Sequence, residues 1–117
     1  METSTLLEDA EQSYAKSLLA SGQAMNYMLE RGFGGAIAAR YRVGFAASDS
    51  STLRPVVKRW GIQACQDAGL HIKANAKRPF EMFRGRLIFP IRDAAGVLVG
   101  FGGRHMQPDE HQPKYLN

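Results

Sequence analysis

The run FRGRLIFPIRDAAGVLVGFGGR, from Phe83 to Arg104, constrains the fold more tightly than any other stretch of the chain. Two apolar segments flank DAAG, which has Asp at the first and Gly at the fourth position of a type I turn, with the Gly suited to the left-handed bulge position of a β-hairpin. Closing the hairpin there sets Asp93 against Val97. Counting outward sets Ile91 against Val99, Pro90 against Gly100, Phe89 against Phe101, Ile88 against Gly102, Leu87 against Gly103 and Arg86 against Arg104. Side chains alternate faces along a strand, so parity sorts them. The odd face gathers Phe83, Leu87, Phe89, Ile91, Val97, Val99 and Phe101, an apolar surface suited to packing on helices. The even face gathers Arg84, Arg86, Arg92 and Arg104, with Gly100 and Gly102 leaving it low between them.

Four guanidinium groups on one face repel one another unless an anion lies among them, and each matches phosphate oxygens bidentately. That face therefore suits a nucleic-acid backbone. The alternative is an edge ribbon that turns arginines to water to prevent edge-to-edge pairing, and Pro90 fits either reading. The charge distribution bears on the choice. Residues 1 to 30 hold five acids and one lysine, whereas residues 31 to 117 carry 14 bases against 6 acids, a balance of +8. Such a block suggests a polyanionic partner, and a solvated surface that is merely basic is the alternative.

The first twenty residues repeat Leu7, Ala10, Tyr14 and Leu18 at helical spacing behind Ser4 and Thr5, which predicts an amphipathic helix. A second helix is expected from Ser21 through Ala24, Tyr27 and Met28 to Arg31, stopping at Gly32, and a third pattern runs from Ala36 to Tyr41. RVGFAASDSSTL reads as an extended entry to a loop, with Ser50, Ser51 or Thr52 capping a helix over Val56, Val57 and Trp60. A short helix around Ala64 to Ala68 ends at Gly69. LHIKANAKRPFEMF has no sustained period and is expected to be a loop or an irregular strand. HMQPDEHQPKYLN, with two prolines and an acidic pair, reads as a loop returning toward the sheet. The fold class expected is α+β: several helices in the N-terminal two-thirds packed on a small antiparallel β-sheet that includes the 83–104 hairpin.

Function classes narrow further. Cys65 stands alone, which excludes an internal disulfide, and His71, His105 and His111 have no zinc-ligand spacing with it. No run approaches the roughly 20 apolar residues of a membrane span, and METSTLLEDAEQ is acidic where a signal peptide is basic. A monomeric, cytoplasmic chain of one subdomain, residues 1–117, is the expectation. GFGG at Gly32 to Gly35 and again at Gly100 to Gly103 fits neither Walker nor Rossmann spacing. Lys114 and Tyr115 together offer a charge for a phosphate and a ring for a base or sugar.

FRGRLIFPIRDAAGVLVGFGGR followed by PKYLN resembles the signature of bacterial DnaG-type DNA primases, in the N-terminal part of their RNA-polymerase core just ahead of the Toprim fold. NYMLERGFGGAIAARYRVGFA and the AGL at Ala68 to Leu70 are similar to that family's upstream pattern. The resemblance implies an enzyme, a nucleotidyltransferase that copies single-stranded DNA template into short RNA primers from ribonucleoside triphosphates during DNA replication. It further implies divalent Mg2+ or Mn2+, a zinc-binding module elsewhere in the polypeptide, and a replicative helicase as partner. The matching positions assign nucleic-acid or nucleotide binding to Arg84, Arg86, Arg104, Lys114, Tyr115 and Asn117, with Arg104 and Lys114 nearest the catalytic centre.

The chain departs from the family in three places: Glu81 and Met82 stand where an Asp with a basic neighbour is usual, the loop before PKYLN is longer or more acidic, and GFAAS lacks a proline. The carboxylates that hold catalytic metal in the family lie beyond PKYLN, so no catalytic or metal-ligating residue is expected among these 117. The expectation is a template-binding subdomain of a primase, inactive by itself, with the zinc-binding and Toprim parts absent from this chain. The alternatives are a non-catalytic single-strand-binding module and an interaction domain that docks on a helicase.

Overall fold

The structure is a computed structural model that describes residues 2–32, 34–74, 79–106 and 115–116. Helices α1 (Glu2–Ala20), α2 (Gly22–Glu30) and α3 (Gly35–Tyr41) lead into strand β1 (Gly44–Phe45), then α4 (Arg54–Trp60) and α5 (Ile62–Asp67). Strands β2 (Ile72–Ala74), β3 (Pro79–Glu81), β4 (Arg86–Arg92), β5 (Leu98–His105) and β6 (Tyr115–Leu116) complete the chain. The principal sheet is antiparallel with strand order β1-β4-β5-β6, and β2 and β3 make a separate ribbon. The α+β arrangement read from the sequence is the one observed.

The helical stripe predicted for α1 is core: Leu7, Ala10, Tyr14 and Leu18 are all buried. Ser21 caps α2 by accepting the Ala24 N–H at 3.1 Å, which satisfies one of the orphan donors at the helix start. Asp9 fastens α4 to α1, since its Oδ2 accepts from Trp60 Nε1 at 2.8 Å and from Arg59 Nη1 at 2.7 Å. Cys65 is fully buried, and burial pushes its thiol above the ordinary value, so it packs as a small apolar group.

The cap of α4 differs from expectation. Its N-cap is Leu53, with no side-chain cap. Thr52 Oγ1 accepts from Ala47 N–H at 2.8 Å instead, and Ser50 Oγ accepts from Glu81 N–H at 3.2 Å. Thr52 thus bonds the loop and, at 3.2 Å, Ser17 of α1, while Ser50 bonds β3. The Leu53 N–H is taken by Glu81 Oε2 at 2.9 Å, a partner 28 residues away that local spacing cannot reveal. The segment expected to be a loop or irregular strand is the β2–β3 ribbon, whose two strands of three residues are too short to show a period.

The hairpin turn forms as predicted, but the register beyond it does not. Asp93 N–H donates to Val97 O at 2.9 Å, Gly96 N–H donates to Asp93 O at 2.9 Å, and Gly96 has φ 85°. A bulge then inserts one residue on β5: Arg92 pairs with Leu98 and Ile91 with Gly100, leaving Val99 extra. From there Phe89 opposes Gly102, Ile88 opposes Gly103, Leu87 opposes Arg104 and Arg86 opposes His105. A one-residue shift sends each side chain of one strand to the opposite face, so the predicted separation of arginines from apolar residues fails.

Helices cover both sides of the sheet where β1 lies beside β4. On one side Ile88 and Phe101 join the core around Tyr14, whose ring meets Phe101 edge-on at 5.2 Å. On the other, Phe45 and Leu87 pack with Met28 and Ala24 of α2. With both faces covered, Arg86, Leu87 and Ile88 are buried in succession, which breaks the alternation that parity assumes. Toward the tip the helices no longer reach. Phe89, Ile91, Val97 and Val99, placed on the packed face by the sequence reading, are 39–52% exposed.

Gly44 sets how closely α1 approaches the sheet. A Cβ there would collide with Tyr14, lying on its Cβ, 2.6 Å from its carbonyl carbon and 2.8 Å from its carbonyl oxygen. Helix backbone cannot swing aside as a flexible side chain can. Gly44→Ala should therefore destabilise the chain by about 3 kcal/mol or more, read as a lowered thermal midpoint. A melt unchanged from the parent would mean that α1 does not sit on β1.

A candidate nucleic-acid interface

The turn between β3 and β4 carries two arginines into one recess. Gly85 N–H donates to Ala46 O at 2.6 Å and so fixes the turn on the strand leaving β1. Arg84, before that glycine, lays its guanidinium over the Phe80 ring at 4.0 Å and donates from Nη1 to Glu81 O at 3.3 Å. Arg86, after it, is only 4% exposed. Its stem runs under Gly103, where a Cβ would come within 3.2 Å of Arg86 Cδ. Burial, and secondarily the charge of Arg84, push the Arg86 guanidinium below its ordinary pKa. Arginine remains protonated through such a shift, so the recess keeps both charges.

These groups line a pocket of about 230 Å³ together with Gln23, Ser48 and His105. Two guanidinium groups, a hydroxyl, an amide and an imidazole converging on one recess make a site for an anion with several oxygen acceptors. A larger pocket of about 330 Å³ among α1, α2 and α3 has a different character. Leu18, Leu19, Met25, Ala38 and Val43 form its walls, and its charged residues Glu11 and Arg42 face each other at 3.7 Å.

The other predicted arginines go elsewhere. Arg104 opposes Leu87 and Tyr115 across the sheet, and its guanidinium lies 5.8 Å from the Tyr27 ring of α2. Arg31 approaches the same ring at 4.4 Å. Gln23 and Tyr27 are one helical turn apart, so α2 presents the pocket-lining amide and the arginine-bearing ring along one side. Arg92 is engaged in an ion pair. Its Nη2 meets Glu11 Oε2 at 2.9 Å and Oε1 at 3.2 Å, and Glu11 is buried, so the pair braces the hairpin against α1. The four arginines assigned to one face thus divide into Arg84 with Arg86, Arg104 beside α2, and Arg92 in an ion pair.

Of the remaining predicted residues, Lys114 and Asn117 lie outside the described residues, and Tyr115 is in β6 opposite Arg104. Gln23, Tyr27, Arg31, Ser48 and His105 were not singled out as site residues from sequence. Tyr27 and Arg31 had a usable signal in their four-residue spacing on a helix, whereas Ser48 and His105 reach the pocket only through tertiary structure. Among the described residues no three Asp, Glu, His or Cys side chains gather as metal ligands. No described helix is long and apolar enough to cross a membrane.

Glu81 stands behind this site. It is 2% exposed; Oε2 accepts from Leu53 N–H, and Oε1 has no hydrogen-bond partner among the described residues. Burial raises its pKa above the ordinary 4.5, against the weaker opposing pull of the Leu53 N–H. A carboxyl whose folded pKa exceeds its unfolded one favours folding when protonated, and that contribution is lost as pH rises through the folded pKa. Glu81→Gln keeps an acceptor for Leu53 without a charge. The thermal midpoint of the parent should therefore fall relative to Glu81→Gln as pH rises above the ordinary carboxylate value of 4.5. A constant difference above that value would show that Glu81 is not held in a desolvated site.

Comparison with known proteins identifies the family. Residues 13–117 match the family model for the DNA primase catalytic core, N-terminal domain. The DNA primase of Legionella pneumophila is 35% identical over 113 residues, covering 96% of this chain and 19% of the relative. The crystal structure of the Aquifex aeolicus primase zinc-binding and RNA polymerase domains superimposes with a TM-score of 0.84 at 26% identity, over 97% of this chain and 28% of that one. A DnaG primase catalytic domain bound to single-stranded DNA superimposes with a TM-score of 0.77 at 34% identity, over 98% of this chain and 38% of that one. The chain thus spans about a fifth of the length of the full primase it matches.

Proposed function

The chain belongs to the DNA primase catalytic-core N-terminal domain family, and on that premise we propose that it forms the template-binding wall of a primase, an enzyme that makes short RNA primers on single-stranded DNA. The observation that carries this reading is the pocket in which a buried Arg86 lies beside Arg84. Two guanidinium groups lining one recess match the oxygens of a phosphate, and a primase template supplies phosphates. A solved relative is described as bound to single-stranded DNA. The side of α2 bearing Tyr27, with Arg31 and Arg104 around it, extends the surface for the next part of the polymer. Base–aromatic stacking and guanidinium–phosphate contacts both tolerate any sequence, which suits a template wall.

The chain binds and orients; it does not perform the transfer. Phosphoryl transfer by a primase needs carboxylates that hold divalent cations at the attacking and leaving oxygens. Those carboxylates, the Mg2+ or Mn2+, and the zinc-binding module belong to other parts of the primase, as do its helicase contacts. Lys114, Tyr115 and Asn117, read from the PKYLN motif, join Arg104 in binding template, primer or incoming ribonucleoside triphosphate. Residues 1–117 constitute one subdomain of that enzyme.

Anisotropy of a labelled oligothymidylate, followed across a salt series, tests the reading. Each guanidinium–phosphate contact removed should lower the magnitude of the log–log salt slope by about 0.7. Arg84→Ala and Arg104→Ala should each do so and weaken binding about tenfold. Parent-like affinity and slope in both variants would place the nucleic-acid surface elsewhere.

A further inference from the structure

The nucleic-acid reading uses Arg84 but leaves open why its long side chain should be held in the pocket. Arginine carries substantial rotamer freedom, and every phosphate contact it makes must offset the loss of that freedom. In this structure much of the ordering is already present. The guanidinium carbon lies 4.0 Å above the centre of the Phe80 ring, and Nη1 donates to the Glu81 carbonyl at 3.3 Å. The same carbonyl accepts the backbone N–H of Arg84 at 3.3 Å.

The segment that provides ring and carbonyl is itself fixed. Glu81 N–H donates to Ser50 Oγ at 3.2 Å, its carboxylate accepts from Leu53 N–H at 2.9 Å, and Met82 N–H donates to His71 O at 3.0 Å. Phe83, on the other side of Met82, is 1% exposed and packs its ring 5.1 Å from that of His71. Phe80 and Glu81 therefore sit on a rigid base.

Stacking consumes none of the in-plane donors of a guanidinium. An aromatic face holds the cation from beneath while the N–H groups point outward in the plane. With one Nη1 hydrogen taken by Glu81 O, the Nε–Nη2 edge of Arg84 keeps its two parallel donors, the pair that matches two oxygens of one phosphate. We propose that Phe80 is a positioning residue for nucleic-acid binding, holding the Arg84 guanidinium over its ring so that the Nε–Nη2 edge is presented to a backbone phosphate. This assignment rests on the template-binding reading above. Phe80 itself contacts no phosphate; it acts through Arg84, by reducing the freedom that binding must otherwise remove.

A double-mutant cycle on the 117-residue chain tests it, with labelled oligothymidylate as the probe. Phe80→Leu keeps an apolar side chain of similar bulk but removes the aromatic face. It should weaken binding about two- to fivefold in the parent. The salt slope should stay unchanged, because the same phosphate is still neutralised once Arg84 arrives. In an Arg84→Ala background the same change should have no further effect, and Phe80→Tyr should bind as the parent does. A purely structural role would lower affinity equally in both backgrounds. That result, or no effect of Phe80→Leu where Arg84→Ala weakens binding, overturns the assignment and leaves the template-binding reading standing. An Arg84→Ala variant that binds as the parent does overturns both. Should Phe80→Leu fail to fold, the unmutated chain still decides: the Arg84 Nε–Hε proton should resonate upfield of an exposed arginine, with restricted mobility. A freely rotating group at the exposed-arginine position overturns the assignment.

Discussion

One extra residue on β5 determines the surface of this molecule. The bulge at Val99 moves every later residue of the strand by one position, so that Phe101 meets Tyr14 while Arg104 emerges on the opposite side beside Tyr27. Gly103 is thereby brought over the Arg86 stem, in space that a larger residue would occupy. Without the bulge Arg104 would oppose Arg86 and both would point the same way. With it, the basic groups divide between the recess around Arg86 and the side of α2, and the polymer path proposed here runs between those two places.

Burial of Arg86 is the second determining condition. A guanidinium taken out of water costs free energy unless its donors are bonded, and proximity to Arg84 adds repulsion. The scaffold that holds Arg86 in place is built from other contacts: α1 closes on β1 through Gly44, the Gly85 turn bonds to Ala46, and Glu81 ties β3 to the start of α4. The resulting charge is fixed in place before a ligand arrives, the condition under which phosphate contacts are strongest. Glu81 illustrates the same economy of parts. Its carboxylate serves α4, its amide engages Ser50, and its carbonyl holds Arg84.

Much of this was legible in the sequence where local physics decides. The stripe of Leu7, Ala10, Tyr14 and Leu18, the helix start at Ser21 and the DAAG turn each form as their chemistry dictates. Parity failed for two separate reasons. A bulge at a plain valine has no residue signature, and parity presumes one wet face, whereas helices cover both sides of the sheet at Leu87 and Ile88. Arg92 was assigned to the binding face because its partner, Glu11, lies 81 residues earlier on a different element. Arg84 and Arg86 come together as expected, since they flank a single glycine. Tyr27 and Arg31 were visible only as members of a helix, because their relation to Arg104 depends on how α2 packs on the sheet.

The central claim is that nucleic acid follows the recess at Arg84 and Arg86 and the side of α2, and avoids the hairpin tip. Titration of the isotopically labelled chain with oligothymidylate, observed by amide and arginine side-chain NMR, tests it most directly. Shifts should concentrate at Ser48, Arg84, Gly85, Arg86 and His105 and at Tyr27, Arg31 and Arg104, with the Arg92 side chain and the turn around Asp93 unmoved. Shifts centred on Phe89, Ile91, Val97 and Val99, with the recess silent, would contradict the claim and place the polymer on the exposed apolar face of the hairpin.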